Sequence, residues 1–276
     1  MKKITIIITR YNESNELIIP CITSISNQKN VEAVTYFLDQ KKDEYMERLC
    51  NNLSNKKIKI IYKNIPAISL SNARNTGIRL AKTDYVLFTD CDAIPDTNWA
   101  YELALPFTIS KKIAIIGGKS SPKWLSKQKW YHHSNILMDI YSLLDLGENI
   151  KEIDRIVGVN FVLNKKLLGK DSFFNENLGR RPGSLLGGEE SELCKRAIKK
   201  GFKIFYNGKA RVQHQIQKDR MNLKWIIRRF YYGGYGKALI GGAPKTYSQK
   251  RNIYDKLVLG IVTIPYLIGF IKGKIK

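Results

Sequence analysis

The stretch Tyr85-Val86-Leu87-Phe88-Thr89-Asp90-Cys91-Asp92 joins an apolar run to two carboxylates that are separated by one residue. The apolar part is typical of a buried strand, so the two aspartates follow the strand and direct their oxygens into one small volume. Hard divalent cations prefer carboxylate oxygens and commonly share their ligand shell with substrate phosphates. In open α/β sheets, ligands bind beyond the carboxyl ends of the strands. The stretch therefore predicts a cation site that bridges to a diphosphate.

Segments rich in β-branched residues alternate with helical patterns through the first half of the chain. The predicted strands are 4–9, 33–38, 58–62, 84–88 and 113–117, and the predicted helices between them are 13–27, 43–53, 71–81 and 97–109. A mixed, partly helical segment at 124–145, a strand at 157–163, a helix at 190–200 and short strands at 203–206 and 210–214 follow. This alternation predicts an α/β domain over residues 1–218, with a mostly parallel, Rossmann-like sheet flanked by helices.

The segment 219–276 differs in character and predicts a basic helical appendage. It carries twelve Lys or Arg residues and only two acids, Asp219 and Asp255. Residues 221–232 have the pattern of a basic amphipathic helix. The apolar run 257–271 is shorter than the roughly 20 residues that cross a bilayer, so it favours a segment that lies in the membrane interface. A core helix and a contact between two copies in a homodimer are the alternatives.

The chain of 276 residues has 47 Lys and Arg against 24 Asp and Glu, a net charge of +23. Such an excess attracts nucleic acid, an anionic membrane surface or phosphorylated ligands, or it is simply a solvated basic surface. The four cysteines form no CxxC pair, which indicates reduced thiols. The N-terminal apolar run is short and interrupted by Arg10, so it predicts a strand rather than a signal peptide. We expect a cytoplasmic protein, peripheral on the inner face of the plasma membrane.

Four polar motifs follow predicted strands or begin predicted helices. They are Thr9-Arg10-Tyr11-Asn12-Glu13 after the first strand, Asp39 after the second, Arg74 in the helix that begins near Ser69, and the pair Glu189-Glu190 after two glycines. A guanidinium can fork onto phosphate oxygens, and a carboxylate in a cleft can act as a general base. Each motif also has a purely structural interpretation as a capped turn, a loop acid, a surface arginine or acids in a first helical turn.

Taken together and in order, these motifs resemble those of the family-2 glycosyltransferases, which have the GT-A fold. The corresponding stretches are Thr9 to Glu13, Asp39, Ala73-Arg74-Asn75-Thr76-Gly77, Asp90-x-Asp92, Gly158-Val159-Asn160-Phe161, Phe174-Asn175-Glu176, Gly187 to Arg196, and His214 at the end of a final strand. The chain departs from the family where Asp39-Gln40-Lys41-Lys42-Asp43 replaces D-x-G-S-x-D and where Glu189-Glu190 replaces E-D. Gln217-x-x-Arg220-Met221 is similar to the Q-x-x-R-W of processive synthases but lacks the Trp.

The resemblance implies an inverting, metal-dependent transfer of a sugar from a nucleotide-sugar, with UDP favoured, to a hydroxyl of a glycan or lipid-linked acceptor. Such a step belongs to the synthesis of cell-surface polysaccharides or glycoconjugates. Glu190 would be the catalytic base, with Glu189 as the second candidate, and Mn²⁺ or Mg²⁺ would be held by Asp92, Asp90 and His214. The expected donor-binding residues are Thr9, Tyr11, Glu13, Asp39, Arg74, Asp90, Asp92, Arg180 and Arg181, and the expected acceptor residues are Asn160, Trp124 and Trp130.

Two other classes of protein share some of these sequence features. A nucleotidyltransferase shares the strand-helix plan and the metal, but it is expected to carry a glycine-rich basic loop after the first strand, and Thr9 to Glu13 has no glycine. A basic nucleic-acid-binding protein would account for the net charge and for the aromatic and basic segment 228–232. It leaves the ordered acidic motifs unexplained, so we expect no nucleic-acid partner.

Overall fold

The structure, a computed structural model, describes residues 2–242 and 251–275. Met1 of the predicted domain 1–218, and residues 243–250 and Lys276 of the predicted tail 219–276, lie outside the described residues. The strands are β1 (Lys2–Arg10), β2 (Val31–Asp39), β3 (Ile58–Asn64), β4 (Tyr85–Asp90), β5 (Ala93–Pro95), β6 (Ile113–Trp124), β7 (Lys151–Ile153), β8 (Asn160–Asn164) and β9 (Lys203–Ile216). The helices are α1 (Asn15–Ser26), α2 (Glu44–Leu53), α3 (Leu70–Leu80), α4 (Trp99–Ala104), α5 (Lys165–Leu168), α6 (Glu189–Lys199), α7 (Leu223–Leu239) and α8 (Ile253–Ile275).

One mixed sheet organises the molecule, in the order β3-β2-β1-β4-β8-β6-β9-β5, with β7 paired to β9. Strand β1 is parallel to both β2 and β4, whereas β8 is antiparallel to β4 and β6. The chain leaves β1 towards β2 on one side and returns as β4 on the other. A crevice therefore forms at the carboxyl ends of β1 and β4, where Thr9 is in register with Asp90. The predicted α/β architecture is confirmed.

The central strands have continuous apolar sequences because their side chains are buried in the core on both faces of the sheet. Ile6, Ile7 and Ile8 of β1 are all buried, as are Leu87 and Phe88 of β4, because helices cover both faces of the sheet. The polar residues that follow these strands leave the core at their carboxyl ends, and Thr9 and Asp90 therefore lie side by side at one edge of the sheet.

Several sequence predictions differ from the structure. The helix predicted at 97–109 ends at Ala104 and continues as a 3₁₀ turn, Leu105–Thr108. The segment 124–145 forms three short 3₁₀ turns, Trp130–His133, Asn135–Leu137 and Asp139–Tyr141, instead of a helix. Its aromatic side chains pack into a second apolar cluster with the tail, and this tertiary packing outweighs local helix propensity. The two predicted strands at 203–206 and 210–214 are one strand, β9. Gly208 lies within this strand. Its lack of a side chain lets the backbone of Gly147 come close, since a Cβ there would lie 1.9 Å from the Gly147 oxygen.

The tail helices α7 and α8 pack closely against each other. A Cβ at Gly234 would lie 2.0 Å from the oxygen of Tyr266, and a Cβ at Gly269 would lie 2.0 Å from the oxygen of Tyr231, so the two backbones touch. Helix α8 has 23 residues and contains an 18-residue stretch with a mean hydropathy of 1.6, which makes it long and apolar enough to cross a membrane by length and composition. The predicted run at 257–271 was shorter because charged residues flank it in the sequence.

Candidate active site

A cleft of about 290 Å³ opens at the carboxyl ends of β1 and β4. Seven of the nine predicted donor-binding residues line it: Thr9, Tyr11, Glu13, Asp90, Asp92, Arg180 and Arg181. The turn after β1 is tight because a Glu13 Oε2 accepts hydrogen bonds from the backbone N–H groups of Tyr11 and Asn12, at 2.9 and 3.2 Å. The fold therefore brings together residues that are up to 172 positions apart, from Thr9 to Arg181.

Asp92 and His214 face each other in this cleft. Asp92 Oδ1 lies 3.3 Å from His214 Nε2, and neither atom has a hydrogen-bond partner among the described residues, although both are buried. His214 Nδ1 lies 2.7 Å from the backbone oxygen of Tyr141. Since a carbonyl oxygen only accepts, Nδ1 carries the hydrogen and Nε2 of a neutral imidazole directs its lone pair at the carboxylate. Two buried lone pairs that face each other fit a shared cation, and the carbonyl bond orients the ring for it.

The third predicted metal ligand, Asp90, has a different neighbour in the structure. Its Oδ1 lies 3.3 Å from Arg74 Nη2, because the guanidinium attracts it. In the described ranges 2–242 and 251–275, no group of three His, Cys, Asp or Glu side chains lies at metal-ligand spacing. Burial would raise the pKa of Asp92, but His214 and Arg220 outweigh it and hold this pKa below its usual range. Asp92 is therefore the better ligand, because it is ionised.

Arg74 is a buried cation surrounded by carboxylates. Its Nη1 lies 2.7 Å from Glu190 Oε1 and 3.3 Å from Glu189 Oε1, and its Nη2 donates to the backbone oxygen of Gly158 at 3.0 Å. Only 1% of the residue is exposed. Both Nη groups are engaged by protein acceptors, so Arg74 sets the position and charge of the two candidate bases. A phosphate contact of Arg74 stays a prediction.

The two adjacent glutamates differ in exposure and in proton affinity. The Glu190 side chain is 16% exposed and that of Glu189 is 3% exposed. Burial and the neighbouring charge of Glu190 raise the pKa of Glu189 to about 7. Burial acts in the same direction on Glu190, but the charge and hydrogen bond of Arg74 outweigh it and lower its pKa. Glu190 is thus the more exposed carboxylate of the pair and the one held ionised by Arg74, whereas Glu189 is partly protonated near neutral pH. Neither is among the residues that line the cleft.

Asp39, predicted to contact the base of the donor, lies at the end of β2 with both oxygens engaged. Oδ2 accepts from Arg10 Nη1 at 2.9 Å and from the Tyr62 hydroxyl at 3.2 Å, while Oδ1 accepts from the Lys41 N–H at 2.9 Å. The residue is 0% exposed. Base recognition by Asp39 stays a prediction, and in the structure its carboxylate orders Arg10 and the loop that follows β2.

The predicted acceptor residues are dispersed. Asn160 is fully buried, its Oδ1 accepts from Trp99 Nε1, and its Nδ2 donates to the oxygens of Lys119 and Ala210, all at 2.8 Å. Asn160 therefore joins three elements of the sheet domain. Trp124 and Trp130 pack edge-on against neighbouring tyrosines, with ring centroids 5.4 Å apart in each pair, and neither lines the cleft. Their acceptor contacts stay predictions.

Residues of the tail that sequence reasoning did not assign to the site complete the cleft. Arg220 Nη1 lies 3.0 Å from Asp92 Oδ2, Trp225 stacks on Tyr141 at 5.6 Å, and Arg228 donates to the oxygen of Gly183 at 2.7 Å. All three of these tail residues line the cleft. The sequence carried one signal for them, the similarity of the Gln217 to Met221 segment to a motif of processive synthases. The predicted boundary at residue 218 therefore does not separate the tail from the site.

The chain is similar to several known proteins. Residues 5–170 match the family Glycosyl transferase family 2. The glucosyl-dolichyl phosphate glucuronosyltransferase of Haloferax volcanii is 22% identical over 209 residues, which are 74% of this chain and 66% of that protein. The O-antigen chain rhamnosyltransferase WbaN of Salmonella anatum is 24% identical over 220 residues, 78% of this chain and 66% of that protein. The chain spans just under two thirds of the length of these two relatives.

A solved structure, that of GalNAc-T7 with UDP, GalNAc and Mn²⁺, superposes on the chain with a TM-score of 0.59 at 14% identity. The match covers 86% of this chain and 50% of that one, and it confirms the predicted GT-A fold. Because the family match extends over more than half of the chain, the chain belongs to glycosyl transferase family 2.

Proposed function

We propose that the chain transfers a sugar from a nucleotide-sugar, with UDP-sugars favoured, to a hydroxyl of a glycan or lipid-linked acceptor, with inversion at the anomeric carbon. The observation that carries the proposal is the facing pair Asp92 and His214 in the cleft at the ends of β1 and β4. The GalNAc-T7 structure of similar fold contains UDP and Mn²⁺. The names of the two curated relatives place them in glycolipid and O-antigen synthesis, which supports a role in cell-surface glycoconjugates.

Mn²⁺ or Mg²⁺ would be held by Asp92 and His214, with Asp90 as a further candidate ligand. A bound divalent cation would offset the negative charge of a leaving diphosphate. Arg180 is a cation of the same cleft that has no ion pair among the described residues, and Arg220 lies beside Asp92. Both guanidinium groups favour a diphosphate in the cleft. Glu190 would accept the proton of the acceptor hydroxyl as that oxygen attacks the anomeric carbon.

The donor site is tested by replacing His214 with Asn in the full chain. We expect UDP to bind the wild type more tightly with Mn²⁺ than without it, since the cation joins the protein to the diphosphate. In the variant, the affinity for UDP in the presence of Mn²⁺ should fall by about tenfold or more. Calorimetric titration with UDP and a panel of nucleotide-sugars measures both effects and identifies the favoured nucleotide.

His133→Asn is the matched control for this experiment. His133 does not line the cleft, and its ring packs on Tyr254 of α8 with centroids 5.4 Å apart. We expect His133→Asn to bind UDP and Mn²⁺ as the wild type does. Equal Mn²⁺ dependence in wild type and His214→Asn would contradict the assignment of His214 to the metal, and the absence of nucleotide binding by folded wild type would contradict the donor site.

We also propose that α8 lies in the interface of an anionic membrane on the cytoplasmic side. Ile264, Leu267, Ile268 and Ile271 are 67%, 49%, 54% and 57% exposed, so an apolar face of the helix is left uncovered. The other face packs along α7, whose Arg228 and Arg229 bind the loop over the cleft. Because α8 packs against α7, which carries these arginines, we expect it to lie in the membrane interface and not to cross the bilayer. In the interface, basic side chains can contact the lipid headgroups.

Membrane association is tested by the double substitution Ile264→Glu and Ile268→Glu. Two acids on the outer face remove apolar area and add repulsion from anionic lipid, so we expect co-sedimentation with phosphatidylglycerol vesicles to fall by about tenfold or more. Ile109→Glu is the control, because Ile109 is 56% exposed and lies before β6, in the sheet domain. Unchanged vesicle binding by the double variant would contradict the proposal.

A further inference from the structure

A second hollow, of about 690 Å³, lies between the tail helices and the sheet domain. It shares a wall with the donor cleft. Gly183 and Leu185 of the loop before α6 line the cleft, whereas Gly187 and Gly188 of the same loop line this second cavity. The consecutive arginines of α7 divide in the same way, with Arg228 on the cleft and Arg229 on the cavity. The cavity is large enough for an organic ligand.

The wall of the cavity is apolar on one side. The 3₁₀ turns and the tail supply large apolar groups: Ile136, Ile140, Leu143, Phe230, Leu259 and Tyr266. Helix α8, which provides the last two, has its uncovered apolar face on the outside. A hydrophilic glycan would gain nothing from such a wall, whereas a hydrocarbon chain would be removed from water by it.

The same cavity carries an excess of unpaired positive charge. Its acids are already engaged: Asp139 pairs with Arg155, Asp145 pairs with Lys119 at 2.8 Å, and the Asp255 oxygens accept from Ser134 and from backbone N–H groups. The cations Arg229, Lys237 and Arg251 line the cavity, and none of them forms a salt bridge with any residue that the structure describes. A ligand that matches this cavity has an apolar part for the apolar wall and a negative charge for the cations. Such a ligand is an amphipathic anion.

Arg229 places this positive charge beside the candidate base. Its Nη1 donates to the oxygen of Leu185 at 2.8 Å, its buried Nε has no hydrogen-bond partner among the described residues, and a Cβ at Gly187 would lie 3.1 Å from its Nη2. Gly187 is three residues from Glu190 in the loop that leads into α6. A phosphate bound by Arg229 would therefore bring a sugar attached to it towards Glu190.

On the basis of the proposed sugar transfer, we infer that the acceptor is a saccharide carried on a lipid phosphate, with the hydrocarbon chain in this cavity and the phosphate on Arg229. The tail then has two roles, since α8 contacts the membrane with its outer face and forms the wall of the lipid cavity with its inner face. A soluble glycan without the lipid phosphate would lack both sets of contacts.

The experiment measures binding of farnesyl phosphate to the full chain by calorimetry, with farnesol and inorganic phosphate as the partial probes. We expect farnesyl phosphate to bind at least about tenfold more tightly than either probe, because only it offers both the charge and the chain. Arg229→Gln should weaken farnesyl phosphate by about tenfold, and Leu259→Trp should weaken it by filling the cavity. UDP binding should persist in both variants.

Two matched controls separate the cavity from its surroundings. Arg228→Gln changes the neighbouring arginine on the donor cleft, and Leu257→Trp adds the same bulk where the leucine is 51% exposed. Both should bind farnesyl phosphate as the wild type does. The acceptor inference alone would be overturned if UDP binds but farnesyl phosphate does not. It would also be overturned if Arg229→Gln and the wild type bind farnesyl phosphate equally well. Failure of UDP to bind in every sample would overturn the proposed function.

Discussion

Glu190→Gln is expected to lower the rate of sugar transfer by roughly 10²- to 10⁴-fold while the protein still binds its donor. The amide keeps the size of the side chain and can still contact Arg74 through its oxygen, but it cannot accept a proton from the acceptor hydroxyl. Transfer is measured as release of the nucleoside diphosphate with the favoured donor and acceptor. Donor binding is measured by calorimetry in the same preparation, so that a loss of folding is not mistaken for a loss of chemistry.

Glu189→Gln is the matched control for this substitution. The pKa of Glu189 is raised to about 7 by burial and by the charge of Glu190, so near neutral pH this side chain is already partly protonated and the amide imitates its neutral form. We expect the rate to change by about tenfold or less. Full activity in Glu190→Gln together with a large loss in Glu189→Gln would transfer the role of base to Glu189, the deeper of the two.

Arg74→Met should have the largest effect on stability of any single substitution considered for this site. One buried guanidinium faces Asp90, Glu189 and Glu190, and its removal takes the ion-pair partner away from all three carboxylates. The breaking of a buried ion pair from one side costs about 3–5 kcal/mol. Unfolding in urea, followed by circular dichroism at neutral pH, measures the loss.

The sign of the pH dependence tests the electrostatic cause. Without Arg74, the pKa values of the three carboxyls rise in the folded state above their unfolded values. A group with a raised carboxyl pKa costs nothing below its unfolded pKa and destabilises the fold as the pH rises towards its folded pKa. The deficit of Arg74→Met relative to wild type should therefore shrink as the pH is lowered from 7 towards 5.

Arg79→Met, on the same helix, is the comparison for Arg74→Met. Arg79 lies 3.5 Å from Glu176, with side chains that are 56% and 44% exposed, and exposed pairs of this kind contribute about 0–1 kcal/mol. A loss for Arg74→Met no larger than that for Arg79→Met, or a deficit that does not change with pH, would contradict the role of Arg74 as the organiser of the carboxylates.

The local pattern of apolar and polar residues predicts the parallel strands β1 to β4 well. Each buried strand requires a run of apolar residues, and each helix between the strands requires an amphipathic pattern. The strands predicted at 33–38 and 58–62 are β2 and β3, extended by one to two residues. The same logic placed Thr9, Asp90 and Asp92 at one edge. It could not predict the turns at 130–141, because their aromatic groups are held by Trp225, Val258 and other tail residues that are remote in the sequence.

The polar contacts of the site show a second limit of sequence reasoning. From their residue types, Arg74 and Asp39 were predicted to contact the donor. Which group a charged side chain pairs with depends on distances, and only the fold determines these distances. In the structure, Arg74 Nη1 forms an ion pair with Glu190 Oε1 at 2.7 Å, and Arg10 Nη1 forms one with Asp39 Oδ2 at 2.9 Å. The contribution of Arg228 to the cleft was equally inaccessible, and that of Arg220 had only the similarity to Q-x-x-R-W as a signal, because both require the tail to fold back over the ends of β1 and β4.

The close approach of α7 and α8 at Gly234 and Gly269 has a consequence for how this sequence can change over generations. Any side chain at either position would meet a backbone oxygen of the partner helix at about 2.0 Å, and would separate α7 from α8. Such a separation would also disturb the position of Trp225 and the two arginines that follow it. Exchange of one apolar residue for another can therefore be tolerated on the outer face of α8, whereas Gly234 and Gly269 have to be retained for α7 to keep its position beside the cleft.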